Sequence, residues 1–315
     1  MAVPFSQLVA ATYDAVVNDK NKAADQWSDT SALAGLDKAG GVKRVTPGAT
    51  LQLTLDYRIN SGADFLATDA TATATGKTDI LTATGPSWAT LVVPVNWTFT
   101  DEALNNGDAK VDLISSLVDN AIASHDFSLE TAMFAATGGT DGFATFTDMY
   151  AENGLGTFQG IDSSVETWWK NKFKDWNTDT GATLLADYNT LYFSCAKGSS
   201  GRQPNLVIGD STMYGAFLAA LTPQQRFMNA NAAQSGFGQV KLINADYLYT
   251  SALTSAQEAA FMFNTMDTAL FVAKTAFRKR RDAHDFVAAA MVNQKIFSVC
   301  QLATRNRSRG GVIFS

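Results

Sequence analysis

Residues 154–173 read GLGTFQGIDSSVETWWKNKF. Gly154, Gly156 and Gly160 punctuate the run, and the adjacent pair Trp168 and Trp169 closes it. No catalytic dyad and no ligand cluster stands beside the pair. A tryptophan combines a large buried area with a single N–H donor, which suits a domain junction or a subunit contact. The residues alone leave two readings open: core packing within one subunit, or an anchor against a neighbour.

Upstream, Val111, Ile114, Val118, Ala121, His125, Leu129 and Ala132 step by three and four, with Asp112, Ser116, Asp119 and Glu130 off the stripe. That period predicts one long amphipathic helix, broken by ATGGTDG near Gly138. Thr100 before Asp101 and Glu102 reads as the N-cap of a preceding helix. Earlier still, two segments alternate. Leu51, Leu53, Leu55, Tyr57 and Ile59 share one face of ATLQLTLDYRI, and Leu91, Val93, Val95, Trp97 and Phe99 share one face of TLVVPVNWTF, where Pro94 points to an edge or a bulge. Both read as half-buried strands.

Between them, residues 60–87 are rich in Ala, Thr, Gly and Asp. So long a structureless loop is unusual in a compact domain, and the two Thr-rich halves around Gly76 pair better as a projecting ribbon. Phe65, Leu66, Ile80, Leu81 and Trp88 are all it has to bury, too little to offset the entropy of ordering. The ribbon needs a partner surface.

Downstream, TLLADYNTLYFSCAKG reads as a helix ended by Gly198, PNLVIGD as a buried strand and TMYGAFLAAL as a helix; strands then run through VKLINADYLY, AAFMFNT, ALFVAK and onward to GGVIFS. Mixed elements without a regular βαβ repeat predict an α+β fold.

Composition narrows the function classes. The 315 residues suffice for about two lobes. With 46% hydrophobic and 17% charged residues and no apolar tract of membrane-spanning length, a globular chain off the membrane is expected. The first residues lack a secretory pattern, which predicts synthesis and assembly in the cytoplasm. A net charge of -6 argues against a dedicated nucleic-acid binder. The basic runs at Arg278–Arg281 and at Arg305, Arg307 and Arg309 read as solvated or subunit-facing surface. Cys195 and Cys300 each lie in an apolar stretch and read as buried free thiols.

Three chemical motifs fail on inspection. Gly209, Asp210 and Ser211 follow a strand as in the GDS-type serine esterases, but the only later histidine, His284, has Arg281 where the required Asp should stand. TGKTD lacks the first glycine of a phosphate loop and the helix that should follow. His125, Cys195, His284 and Cys300 lack metal-ligand spacing, and His125 on the apolar stripe reads as core. No catalytic residue, metal or cofactor is expected, so the chain reads as a non-enzyme.

In collinear order these features resemble the tailed-bacteriophage major capsid proteins of the Hong Kong 97 type. The specific block is Gly160, Ile161 and Asp162 followed by Trp168, Trp169, Lys170 and Asn171, after the long helix. QPNLVIGDSTMYGAF, LTPQQRF, SGFGQVKLINADYLY and FMFNTMDTALF are similar to later family blocks, and TRNRSRGGVI is similar to the family's closing Asn-Arg-rich strand. About three quarters of the chain takes part.

The resemblance implies an amino-terminal arm at 1–49, an extended β-hairpin at 50–99, a peripheral domain with the spine helix at 100–179 and 277–315, and an axial domain at 180–276. It implies hexamers and pentamers of an icosahedral virion head around packaged double-stranded DNA. The DNA would be touched loosely and without sequence preference. Subunit contacts fall to Phe65, Leu66, Lys77, Ile80, Leu81, Trp88, Trp168, Trp169 and Arg226. A separate scaffolding protein, a portal and a decoration protein are the implied partners beside the chain itself. An encapsulin-like protein cage is the alternative on the same fold, and a GDS-type esterase the alternative from another class.

Overall fold

The computed structural model describes residues 30–58, 79–104, 113–136, 142–176, 184–196, 202–225, 240–253, 258–286 and 290–315. Helix α1, Ser31–Lys38, is followed by strand β1, Val42–Val45, and by the pair β2, Leu53–Asp56, and β3, Leu81–Thr84. Strand β4, Ala89–Thr98, leads into α2, Phe99–Leu104, and the long α3, Leu113–Met133. A short α4, Phe146–Met149, precedes the two-residue strands β5, Thr157–Phe158, and β6, Ile161–Asp162, a 3-10 turn at Thr167–Trp169, and β7, Lys172–Asp175. Helix α5, Leu184–Cys195, strand β8, Leu206–Gly209, and helix α6, Ser211–Gln225, come next, then β9, Val240–Leu242, and β10, Ala245–Tyr249. The remainder is strand: β11, Ala259–Phe263; β12, Thr268–Ala273; β13, Lys279–Arg280; β14, His284–Phe286; β15, Met291–Thr304; and β16, Gly311–Phe314.

These strands build two six-stranded mixed sheets. The first runs β1-β12-β15-β13, with β14 and β4 also paired to β15; the second runs β7-β16-β11-β8-β10-β9. The α+β reading holds. Sheet membership cuts across the domain boundaries that the resemblance implied: β7 and β16 complete the second sheet, whereas β12 belongs to the first. The chain crosses between sheets because β11 and β12 are joined by a tight turn at Asn264–Asp267 yet pair with different partners.

Burial follows the alternation. Leu51, Leu53 and Leu55 are buried while Gln52, Thr54 and Asp56 are exposed, and in β4 Ala89, Val95 and Trp97 are buried while Thr90, Val92, Pro94 and Asn96 are exposed. β4 pairs with β15 alone among the described strands, so Pro94, which cannot donate, sits on an edge. Strands β8, β11 and β12 are buried at every position, which is why they read as unbroken apolar runs. Val118 and Ala121 of α3 pack on Val95, Trp97, Val292 and Ile296 of the first sheet. A second cluster sets Tyr188, Tyr192, Met213 and Phe217 of α5 and α6 on Val207, Tyr247 and Met262 of the second sheet.

Four expectations need correction. The cap of α2 is Thr98, not Thr100: Thr98 Oγ1 accepts from the Asp101 N–H at 3.1 Å, and the Asp101 carboxylate accepts from Thr98 N–H at 3.0 Å, a reciprocal box two residues earlier. Glu130, expected on the polar side of α3, is fully buried because it caps another helix. TRNRSRGGVI is not one strand; β15 ends at Thr304 and a 3-10 turn at Arg307–Arg309 intervenes before β16. Arg307, read as surface, has zero exposure. The expected helix breaks near Gly138 and Gly198 lie outside the described residues.

Candidate subunit-interface surface

The Gly-Ile-Asp block folds as a tight hairpin. Gln159 and Gly160 both have positive φ, 53° and 77°, the pairing that a two-residue turn needs to match the twist of β5 and β6. Beyond it, Asp162 Oδ1 accepts from the backbone N–H of Ser164 at 2.8 Å and from its hydroxyl at 2.7 Å. These bonds, the backbone one first, hold the Asp162 carboxyl below its ordinary range and keep it anionic.

The two tryptophans part company here. Trp169 is 1% exposed, and its Nε1–H donates to the Phe158 carbonyl at 3.2 Å, so the ring is core within its own chain. This corrects the expectation of Trp169 at a subunit contact: no face of the ring remains for a neighbour. Trp168 meets Trp169 edge-on at 5.5 Å and turns outward, half-buried, against Tyr57 at 5.5 Å. Its Nε1–H donates to Glu166 Oε2 at 2.5 Å.

Behind the hairpin lies Arg307. Its Nε–H donates to the Met149 carbonyl at 2.5 Å and its Nη1 to the Gly156 carbonyl at 3.0 Å, while the guanidinium lies 5.9 Å from the Phe158 ring centroid. Burial lowers its pKa to about 10. Arg307 thus ties the end of α4 to the glycine-punctuated loop. Gly310 closes the same corner: a Cβ there would lie 2.2 Å from the Tyr150 ring.

Tyr57, Ile161 and Trp168, with Leu81 and Val165, line a cleft of about 560 Å³ between the β2–β3 pair and the hairpin. Leu81 is 61% and Val165 74% exposed, far more than large apolar side chains need be. Asp79, Asp162 and Glu166 rim it. Thr84 Oγ1 donates to the Gln159 carbonyl at 2.5 Å, pinning the ribbon to the hairpin turn.

The other expected contact residues are spread out. Ile80 is half-buried; Trp88 is half-buried, packs beside Leu51 and Leu53, and donates to the Gly48 carbonyl at 3.1 Å. Phe65, Leu66, Lys77 and Arg226 lie outside the described residues. Sequence reasoning missed Val165; its one signal was a lone apolar residue in the polar run SSVET.

The rejected chemistry has structural explanations. Asp210 caps α6, its carboxylate accepting from Thr212 N–H at 2.9 Å and Met213 N–H at 3.1 Å, and Ser211 is merely the exposed first residue of that helix. His284 pairs with Asn293 in the other sheet. Cys195 and Cys300 are free and buried, and burial pushes the Cys300 thiol up to about 12. Among the described residues no three metal-ligating side chains converge, and no helix is long and apolar enough to cross a membrane.

No protein-family model matches the chain, and no curated protein matches it by sequence. Solved structures do. The capsid of cyanophage A-1(L) matches with a TM-score of 0.64 at 12% identity, covering 96% of this chain and 98% of the capsid chain. The SrpI encapsulin of Synechococcus elongatus matches with a TM-score of 0.63 at 10% identity over 100% of this chain and 95% of its own. The capsid of an empty GTA particle matches with a TM-score of 0.62 at 13% identity over 99% and 98%. Identity this low shows fold and not activity, but coverage is nearly complete in both directions. From its first described helix to its last strand, the chain has the fold of the tailed-phage major capsid proteins.

Proposed function

We propose that this chain is the major capsid protein of a tailed phage, a structural subunit that assembles into the hexamers and pentamers of an icosahedral head around double-stranded DNA. One observation carries the reading: phage capsid chains match this one over nearly the whole length of both partners. The ordered sequence blocks around Gly160 and Trp168 add support. A separate scaffolding protein, a portal and a decoration protein are its proposed partners, the virion its location and the host cytoplasm its place of assembly. An acidic chain suits a wall that touches DNA only loosely.

The encapsulin match supports a second reading, a protein cage around an enzyme cargo. Electron microscopy of the chain, expressed with its neighbouring genes, tests both. Closed shells with five-fold and six-fold capsomers that protect DNA from nuclease are expected. Shells filled with protein would favour the cage, and subunits that stay solitary would overturn both.

A further inference from the structure

Two surfaces of the chain are complementary in both charge and polarity. The first is the cleft floored by Tyr57 and Trp168 and flanked by exposed Leu81 and Val165. Its rim is acidic, with Asp79, Asp162 and Glu166, and none of its described lining residues is basic.

The second is the outward face of the first sheet. Phe297 of β15 stands opposite Val92 on one side and Lys279 on the other, and Lys295 stands opposite Pro94. The Arg281 N–H donates to the Lys295 carbonyl, which puts Arg281 in the same row, and its guanidinium lies 5.2 Å from the Phe297 ring centroid. Lys279, Arg281 and Lys295 are exposed, as is Val92 at 46%. Here an apolar strip carries cations, where the cleft's apolar floor carries anions.

We propose that the acidic cleft of one subunit receives the basic face of β13 and β15 from a second copy of this chain. We place the two patches in a heterologous contact: one subunit gives its cleft and the other its basic face, so the pair keeps one cleft and one basic face free, and repetition closes a ring or extends a chain. Opposite potentials speed encounter and set the register, while Trp168, Val165 and Phe297 supply the desolvated centre. The inference rests on the shell-subunit reading only in requiring a second copy; it adds which surfaces meet.

Two variants test it. Val165→Lys spoils the cleft by setting a cation where the partner's cations must enter, and Lys279→Glu with Arg281→Glu spoils the basic face; all three side chains are exposed, so far-ultraviolet circular dichroism and melting should match the parent. Each variant alone should lose self-association by at least about tenfold in sedimentation velocity, the effect of removing an interface anchor. An equimolar mixture should recover a one-to-one complex, since each variant retains the half that the other lacks. Normal association of either variant alone, or no complex in the mixture, would overturn the proposal. Should the parent form small oligomers through this contact but never shells, the capsid reading fails and the proposal stands.

Discussion

Arg307 Nε–H donates to the Met149 carbonyl at 2.5 Å across a sequence gap of 158 residues, with the guanidinium fully enclosed. The fork also reaches the Gly156 carbonyl, so a cation from the last turn of the chain fastens α4 to the loop that shapes the hairpin. Arg307→Ala would leave these acceptors dry, and Arg307→Lys offers one ammonium to a site built for a planar fork. Both should lower subunit stability in chemical denaturation, the alanine by about 3 kcal/mol or more and the lysine by a smaller amount. Wild-type stability for Arg307→Ala would contradict the buried geometry.

Glu130 of α3 plays the corresponding part for α1. Its Oε2 accepts from Leu33 N–H at 2.9 Å and its Oε1 from Thr250 Oγ1 at 2.7 Å. Thr30, the N-cap residue, makes no side-chain cap of its own, so the long helix supplies the anion that the start of α1 attracts. Glu130→Ala should cost about 2–3 kcal/mol by the same assay. Amide exchange at Ala32 and Leu33 should accelerate with it.

The adjacent tryptophans should behave oppositely. Trp169→Ala removes a core ring and should cost the isolated subunit about 3–5 kcal/mol. Trp168→Ala should leave melting close to the parent's and impair assembly instead. Equal losses of stability in the two variants would count against the division.

At the start of α6, Asp210→Ala should cost about 1 kcal/mol, because two N–H groups lose their acceptor. Ser211→Ala should lie within about 0.5 kcal/mol of the parent. An esterase would show the reverse priority, with turnover abolished at Ser211.

The Cys300 thiol, raised to about 12 by burial, is protonated well above neutral pH, and Cys195 has no exposed surface. At pH 8 very little of Cys300 would be thiolate, the reactive form. Iodoacetamide should therefore label neither cysteine in the native subunit within minutes and both in denaturant. Rapid native labelling would show that the interior opens.

Alternation and helical period needed only neighbours along the chain, so the half-buried strands around Leu53 and Val95, the stripe on α3 and the unbroken apolar strands β8, β11 and β12 could be read directly. The ordered blocks from Gly160 to the carboxy-terminal strand carried the fold class as well. What sequence could not supply was any fact that depends on a distant partner. Glu130 and Arg307 look like surface charges until Leu33 and Met149 arrive across about 100 and 160 residues to receive them. Trp168 and Trp169 are indistinguishable as letters; only the packing of Tyr57 and the Phe158 carbonyl makes one a half-open wall and the other core. Local periodicity sets which face of an element turns inward, whereas the compensation of a buried charge or donor is decided by whatever the tertiary fold brings against it.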